Sequence, residues 1–388
     1  MTSYNDWMDP LYLNELLTNE EALIKKTARD FCKSELLPNV VKNNKKSFFD
    51  KNIYPKIGSL GFLGININGY GGTNASNISY GLVLKEFESI DSSYRSAISV
   101  QSSLVIYPIF HFGSNEQKQR YLPELIKGNL IGCFGLTESE AGSDPSSMKT
   151  KFKEVSDGYI INGNKNWITN SPIADIFIIW ALNENNEIHG FIVDKNTKGL
   201  KTSLIEKASL KISPTGQIIL DNIKIPKENI LPKTNGWKSI YSCLNKARYG
   251  ISWGVLGAAE ASWLIAKDYT ENRIMFKKKL ASTQLVQKKL ADMQSEITIG
   301  HSACMHAGKA MDMNKDLKIA ISILKRNNCK KAIKIVRDAR DMLGANGLLE
   351  EYHIIRHLIN LETVNTYEGT SDIHSLILGK FQTKINAF

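Results

Sequence analysis

The sequence changes its period near Ile131 and changes back near Trp237. Between those points lie short runs rich in β-branched and aromatic residues: "GYIINGNKNWITN", "ADIFIIWAL", "IHGFIVDK" and "GQIILDNIKIP". Turn-forming clusters such as "NENNE" and "KNTKG" separate them. Branched and aromatic side chains suit a pleated, half-buried surface, and the clusters supply turns, so residues 131–236 read as a compact β domain.

The flanks are helical. "NEEALIKKTARDFCKSELLPNVV" opens on Asn19 as an N-cap, with acidic residues in the first turn, and places Ala22, Ile24, Ala28, Phe31 and Leu36 near one face. On the far side, Val286, Leu290, Met293 and Ile297 recur at i, i+4, i+7 and i+11, a core-facing stripe. "LKIAISILKRNNCKKAIKIVRDARDML" and "EYHIIRHLINLETV" add two long helices, and Gly254, Gly257, Ala258 and Ala261 permit close helix packing. The expected class is α+β multidomain: an all-α domain at 1–130, the β domain at 131–236 and a C-terminal helical bundle at 237–388. No internal repeat and no period-2 pattern in the first part is evident.

With 388 residues, 42% apolar and 23% charged, the chain has enough material for a large globular core. Its longest apolar runs, such as "IFIIWAL", are too short for a bilayer, and "MTSYNDWMDP" carries no basic region followed by an apolar stretch. A soluble, unexported protein is expected, with no membrane insertion. The cysteines (Cys32, Cys133, Cys243, Cys304, Cys329) show no C-x-x-C spacing, which argues against a disulfide framework or cysteine zinc site and favours a reducing interior. The net charge of +10 is spread along the chain without a basic stripe or RNA-binding motif, so no nucleic-acid partner is expected.

Common catalytic fingerprints are missing: there is no G-x-G-x-x-G after a strand, no P-loop and no G-x-S-x-G elbow. His353 and His357 have metal-compatible spacing but lack the glutamate of H-E-x-x-H, so packing or surface roles are expected and no metal. "CFGLTESEAGSDPSSMKT" gathers small and hydroxyl residues (Thr137, Ser139, Gly142, Ser143, Ser146, Ser147) able to bring donors to a polar ligand. In "NKNWITNS", Trp167 and Thr169 stand two apart on a strand, an indole beside a hydroxyl on one face, as a planar heterocycle would need. "NTYEGTSDIHSLILGK" places Glu368 where helical sequence breaks at Gly369. That is either an ordinary helix end or a carboxylate presented to a ligand.

Taken in order, "CFGLTESEAGSD", "NWITN", "RYGISWGVLGAAE", "RIMF", "QLVQKKLADM", "RDMLGANG" and "YEGTSDIHSLILGK" resemble the acyl-CoA dehydrogenase family of flavoenzymes, over the whole chain. "ESIDSSYRSAISVQSSLV", "CLNKARYG" and the final helix are similar to its glutaryl-CoA dehydrogenases. The resemblance implies FAD as cofactor, an acyl-CoA substrate, an electron-transfer flavoprotein as acceptor and a homotetramer. It makes Glu368 the base that removes the α-proton while a hydride leaves the β-carbon for the flavin. The main-chain N–H at Glu368 and a ribityl hydroxyl would hold the enolate oxygen.

The same resemblance implies that Phe134, Leu136 and Thr137 line the flavin's pyrimidine side and that Trp167, Ile168 and Thr169 pack along the ring. Ser143 is expected near the flavin and CoA phosphates, and Arg273, Phe276 and Gln284 at the FAD diphosphate and adenosine. Asp341, Gly344 and Ala345 are expected to reach the FAD of a neighbouring subunit. Ala345 stands where the family commonly has a second glycine, and its methyl group crowds that approach. Thr370, Asp372 and Phe388 complete the cofactor set. Leu244, Arg248 and Gly369 are expected against the CoA thioester. Glu88, Arg95, Ser96 and Tyr367 are expected around a distal carboxylate, because a buried arginine facing an uncharged acyl chain lacks a partner. Glu88 precedes Arg95 by two helical turns, so both can share a face. The implied reaction is FAD-dependent conversion of glutaryl-CoA to crotonyl-CoA and CO2, a step of lysine and tryptophan degradation, in a bacterial cytoplasm or a mitochondrial matrix. A dehydrogenase for another short acyl-CoA, or a silent relative with a binding role, are the alternatives.

Overall fold

The structure is a computed structural model that describes residues 7–387. The N-terminal part is helical: α1 (Asn19–Phe31), α2 (Val40–Lys46), α3 (Ile53–Ser59), α4 (Asn77–Ile90), α5 (Ser92–Ser99), α6 (Tyr107–Phe112) and α7 (Asn115–Lys127). A small hairpin, β1 (Asn68–Gly69) with β2 (Gly72–Thr73), interrupts it, too short to leave an alternating pattern. The cap of α1 is Thr18 rather than Asn19: Thr18 Oγ1 accepts from the Glu21 N–H and Glu21 Oε2 accepts from the Thr18 N–H, a capping box. Glu21 is therefore buried, with Oε1 taking a hydrogen bond from Ser76 Oγ at 2.6 Å, while Ala22 is exposed. A polar residue with satisfied bonds took the inward place that spacing assigned to an alanine.

The middle part is a seven-stranded sheet: β3 (Gly132–Gly135), β4 (Lys151–Val155), β5 (Gly158–Thr169), β6 (Ile176–Leu182), β7 (Ile188–Asp194), β8 (Leu200–Leu204) and β9 (Thr215–Pro226). Strands β3 and β4 run parallel to β6, β7 pairs β6 antiparallel, and β5, β9 and β8 follow β4 in antiparallel order. Every residue of β6 is buried. Ile176, Ile178, Trp180 and Leu182 join the core shared with the N-terminal helices. Phe177, Ile179 and Ala181 join a second core within the sheet. A strand covered on both faces needs a continuous apolar run, which is why "IFIIWAL" does not alternate.

From Gly236 the chain is helical again: α8 (Gly236–Asn272), α9 (Gln284–Asp312), α10 (Lys318–Met342), α11 (Ile354–Thr366) and α12 (Ser371–Thr383), with a small hairpin, β10 (Ile274–Met275) and β11 (Lys278–Lys279), after α8. Val286, Met293 and Ile297 are buried and Leu290 partly so, as their period predicts. The 37-residue α8 lies against α4 along small residues. A Cβ at Gly254 would stand 2.1 Å from Glu88 Oε2, so no side chain fits there. All five cysteines are free and buried. No helix among the described residues is long and apolar enough to cross a membrane.

Candidate active site

Two breaks in helical chain shape one site. The first separates α4 from α5 at Asp91, whose extended backbone (φ −165°, ψ 138°) ends one helix while its carboxylate caps the next through the Ser93 N–H at 2.8 Å. Glu88 and Arg95 therefore belong to different helices, not to two turns of one. The bend still brings them together, with Arg95 Nε 2.6 Å from Glu88 Oε2. Glu88 Oε1 accepts from Ser92 Oγ at 2.8 Å. Arg95 Nη2 donates to Tyr367 Oη, and the guanidinium lies 5.6 Å from the Tyr367 ring centre. Arg95 is 1% exposed and Glu88 not at all, so this is no surface ion pair. Burial opposes the arginine's charge, but Glu88 and Tyr367 more than offset it and raise its pKa. Burial pushes the Tyr367 phenol up.

The second break lies between α11 and α12. Helix α11 stops at Thr366, Glu368 adopts a left-handed conformation (φ 53°) and Gly369 follows at φ 101°. A Cβ at Gly369 would meet His374 Nε2 at 2.9 Å, so conformation and space both require glycine there. Thr370 caps α12, its Oγ1 accepting from the Ile373 N–H at 3.2 Å. Glu368 Oε2 is buried without a hydrogen-bond partner. Burial raises the Glu368 pKa, while Arg95, Arg248 and Lys325 pull it back. Helix α11 ties the two breaks together, since Arg356 Nε and Asn360 Nδ2 donate to Asp91 Oδ2 at 2.8 and 2.9 Å.

The cavity between these breaks and the sheet has a volume of about 2060 Å³. Pockets for one small ligand run to roughly 300–1,000 Å³, so this one has room for two large molecules. Its sheet wall is Phe134 in β3, Leu136 and Thr137 just after it, and Trp167, Ile168 and Thr169 at the end of β5. Trp167 sits at φ 60° within a register shift between Lys165 and Ile168. The bulge, not simple alternation, turns its indole outward beside Thr169. At 57% exposure it presents an apolar plane to the cavity. Lys165, wholly buried, fixes the preceding loop from behind, donating to Leu136 O at 3.0 Å and Glu138 Oε1 at 2.9 Å. Burial draws this lysine's pKa down to about 8.

Ser96, Ser143, Leu244, Arg248, Tyr367, Glu368 and Gly369 also line the cavity, while Glu88 and Arg95 are outside the lining and join it through the Arg95 bond to Tyr367. Arg248 is committed on one edge, with Nε donating to Glu368 O at 2.7 Å. Sequence reasoning missed Lys246, which lines the cavity under Tyr80 with Nζ 5.0 Å from its ring centre. Burial lowers its pKa to about 7. Lys238, Lys315 and Lys380 add positive charge to the lining, while Lys318 pairs there with Asp316 at 3.0 Å.

Other expected site residues stand apart from the cavity. Thr370, the cap of α12, and Asp372, in its first turn, lie outside the lining. Arg273, Phe276 and Gln284, on and after the β10–β11 hairpin, are exposed, as are Asp341, Gly344 and Ala345. Asp341 pairs with Lys289 at 2.6 Å. Arg273 borders a smaller hollow of about 660 Å³ with Tyr269, Asn346 and Tyr352. Phe388 lies outside the described residues. His353 and His357 do not converge on a shared ligand: His353 Nδ1 is 2.9 Å from Arg356 Nη1, and His357 is buried.

Comparison with known proteins gives a consistent outcome over the whole chain. Family models described as acyl-CoA dehydrogenase N-terminal, middle and C-terminal domains match residues 18–129, 133–223 and 234–382. A Bacillus subtilis protein named simply acyl-CoA dehydrogenase is 34% identical over 94% of this chain and 98% of its own length. The crystal structure of a glutaryl-CoA dehydrogenase from Mycobacterium smegmatis in complex with FADH2 superposes with a TM-score of 0.97 at 40% identity, covering 98% of this chain and 99% of that one. A chain from a structure described as an electron transferring flavoprotein of Acidaminococcus fermentans superposes at a TM-score of 0.92 and 30% identity, covering 95% and 99%.

Proposed function

The chain belongs to the acyl-CoA dehydrogenase family and its cofactor is FAD, and from that premise we propose that it oxidises and then decarboxylates glutaryl-CoA, giving crotonyl-CoA and CO2. The observation that carries the substrate choice is Arg95. Its hydrogen bonds to Glu88 and Tyr367 use Nε and Nη2 and leave Nη1 without a protein acceptor among the described residues. A guanidinium held so, behind a cavity that also presents a buried carboxylate, suits a substrate with a thioester at one end and an anion at the other.

In this reading Phe134, Leu136, Thr137, Trp167, Ile168 and Thr169 hold the flavin ring, consistent with the exposed indole and flanking hydroxyls. Bound FAD supplies the hydride acceptor. Glu368 Oε2, free of protein partners, takes the α-proton as the β-hydrogen departs as hydride. Arg95 draws the distal carboxylate in, with Ser96 beside it. Glu88 competes for the same guanidinium and keeps the grip loose enough for the carboxylate to leave as CO2. The electrons left behind spread into the thioester, and protonated Glu368 returns its proton to the γ-carbon. Leu244, Arg248, Ser143 and Gly369 accompany the CoA thioester, and the lysines of the lining suit its phosphates.

Arg273, Phe276, Gln284, Thr370 and Asp372 take the remainder of the cofactor in this scheme. Asp341, Gly344 and Ala345 of a second copy complete it in a homotetramer. An electron-transfer flavoprotein is proposed as the oxidising partner, in keeping with the company in which one structural neighbour is described.

The test is a comparison of glutaryl-CoA with butyryl-CoA, which has no distal carboxylate. Arg95→Met is expected to lower kcat/KM for glutaryl-CoA by one to two orders of magnitude more than for butyryl-CoA, since a charge-assisted hydrogen bond contributes about 1.5–3 kcal/mol. Equal loss on both substrates would make Arg95 structural and remove the basis for a dicarboxylic substrate.

A further inference from the structure

Helix α10 carries a lysine where its period calls for a core residue. Lys325 is wholly buried, one turn from buried Ile321 and Cys329. No carboxylate among the described residues pairs with it, and its Nζ donates instead to Asn365 O at 3.1 Å and Gly369 O at 2.7 Å. A third carbonyl of the same break, Glu368 O, accepts from Arg248 Nε at 2.7 Å. Carbonyls that lose their helical partners where α11 stops are thus held by two cations reaching across from α8 and α10. Lys325 does not line the cavity, and both of its bonds go to main-chain carbonyls.

The other groups around Glu368 limit what can set its charge. Arg95 on α5 and Arg248 on α8 face it with positive charge, and Arg95 is already shared with Glu88 of α4 and with Tyr367. Tyr80 on α4 and Cys329 on α10 are neutral, pushed up by burial to about 12 and about 11. His374 on α12 is neutral too, drawn down by burial to about 3. Lys325 is the cation beside this break that is committed to backbone alone.

We propose that Lys325 is a positioning residue for the base: it pins the α11–α12 break in its left-handed form and places an ammonium beside Glu368 that favours the ionised carboxylate. The proposal rests on Glu368 being the base. Without the ammonium, the break is free to close toward regular helix and the carboxylate holds its proton to higher pH.

The measurement is exchange of the α-hydrogens of acetyl-CoA with deuterated water, catalysed by the holoenzyme, as a function of pH. Acetyl-CoA has no β-carbon, so exchange reports the base without hydride transfer. Lys325→Gln keeps N–H donors but loses the charge, and Lys325→Met loses both. Each is expected to move the acid limb of the exchange profile to a pH about 1 higher, with Lys325→Met also slower at its plateau. Lys325→Arg is expected to leave the limb where the wild type has it. Flavin content and unfolding temperature are read in parallel, and if Lys325→Met does not fold, the Gln and Arg variants decide. An unmoved limb in Lys325→Gln, or a loss equal at every pH, would overturn the proposal. Exchange that survives in Glu368→Gln would instead overturn the assignment of the base.

Discussion

The closed end of the cavity and the β10–β11 hairpin differ in what each leaves unfinished. Around Glu88, Arg95 and Tyr367 one chain supplies partners for buried charge, down to the missing side chain at Gly254 that makes room for a carboxylate. Among the buried atoms left without a partner is Glu368 Oε2, the one the proposed chemistry uses. On the hairpin and the start of α9 the balance is reversed: Phe276 is 88% exposed and Leu285 76%, beside Arg273, which pairs with no carboxylate among the described residues. An exposed aromatic beside an unpaired guanidinium is the composition of a contact awaiting its other half. A buried site can be finished within one chain and so reveals its chemistry there, whereas the hairpin shows only its own half of the contact proposed for a homotetramer.

The contrast breaks most sharply at Glu368. Glu368→Gln preserves shape but cannot take a proton, and substrate bleaching of the flavin is expected to slow by about 10⁴-fold in stopped-flow measurements, the upper range for a general base. Bleaching near the wild-type rate would leave the closed end without its assigned role. The hairpin side responds differently. Phe276→Ser is expected to weaken flavin retention about tenfold and to shift sedimentation toward smaller assemblies, while the α-hydrogen exchange of flavin-saturated protein is retained. A variant that kept both its assembly and its flavin would mean the hairpin meets nothing.

The smallest effect concerns stability. A carboxyl whose folded pKa lies above its unfolded value binds more protons in the folded state between the two, so stability falls as pH rises through that window. Burial raises Glu368 in this sense. Thermal unfolding of Glu368→Gln is therefore expected a few degrees above wild type at neutral pH, with the difference shrinking as pH falls to the ordinary carboxylate range. A gap that widened on acidification would show that Glu368 is not strained by burial.

Much of the fold was readable because burial on both faces leaves plain marks. The unbroken "IFIIWAL" and the stripe from Val286 to Ile297 behave as their spacing says. The break at Gly369 was legible for the same reason, since glycine inside helical sequence demands an explanation. Glu88 and Arg95 were paired by a seven-residue spacing that the structure honours through a bend at Asp91 instead of two helical turns. Trp167 and Thr169 share the cavity through a bulge that alternation does not contain. Lys325 was illegible: lysine in a helix reads as solvent-facing, and its partners are carbonyls 40 and 44 residues away. The signal lay in its place between Ile321 and Cys329, on a face that is otherwise apolar apart from Ser322 and Asn328.

The central claim is that one carboxylate and one guanidinium at the closed end carry oxidation and decarboxylation together. Holoenzyme incubated with glutaryl-CoA and an electron acceptor, with thioester products identified by mass spectrometry and CO2 trapped, tests it directly. The account predicts crotonyl-CoA and CO2 in equal amounts. Glutaconyl-CoA as the end product, or rapid oxidation of butyryl-CoA with glutaryl-CoA left untouched, would contradict it.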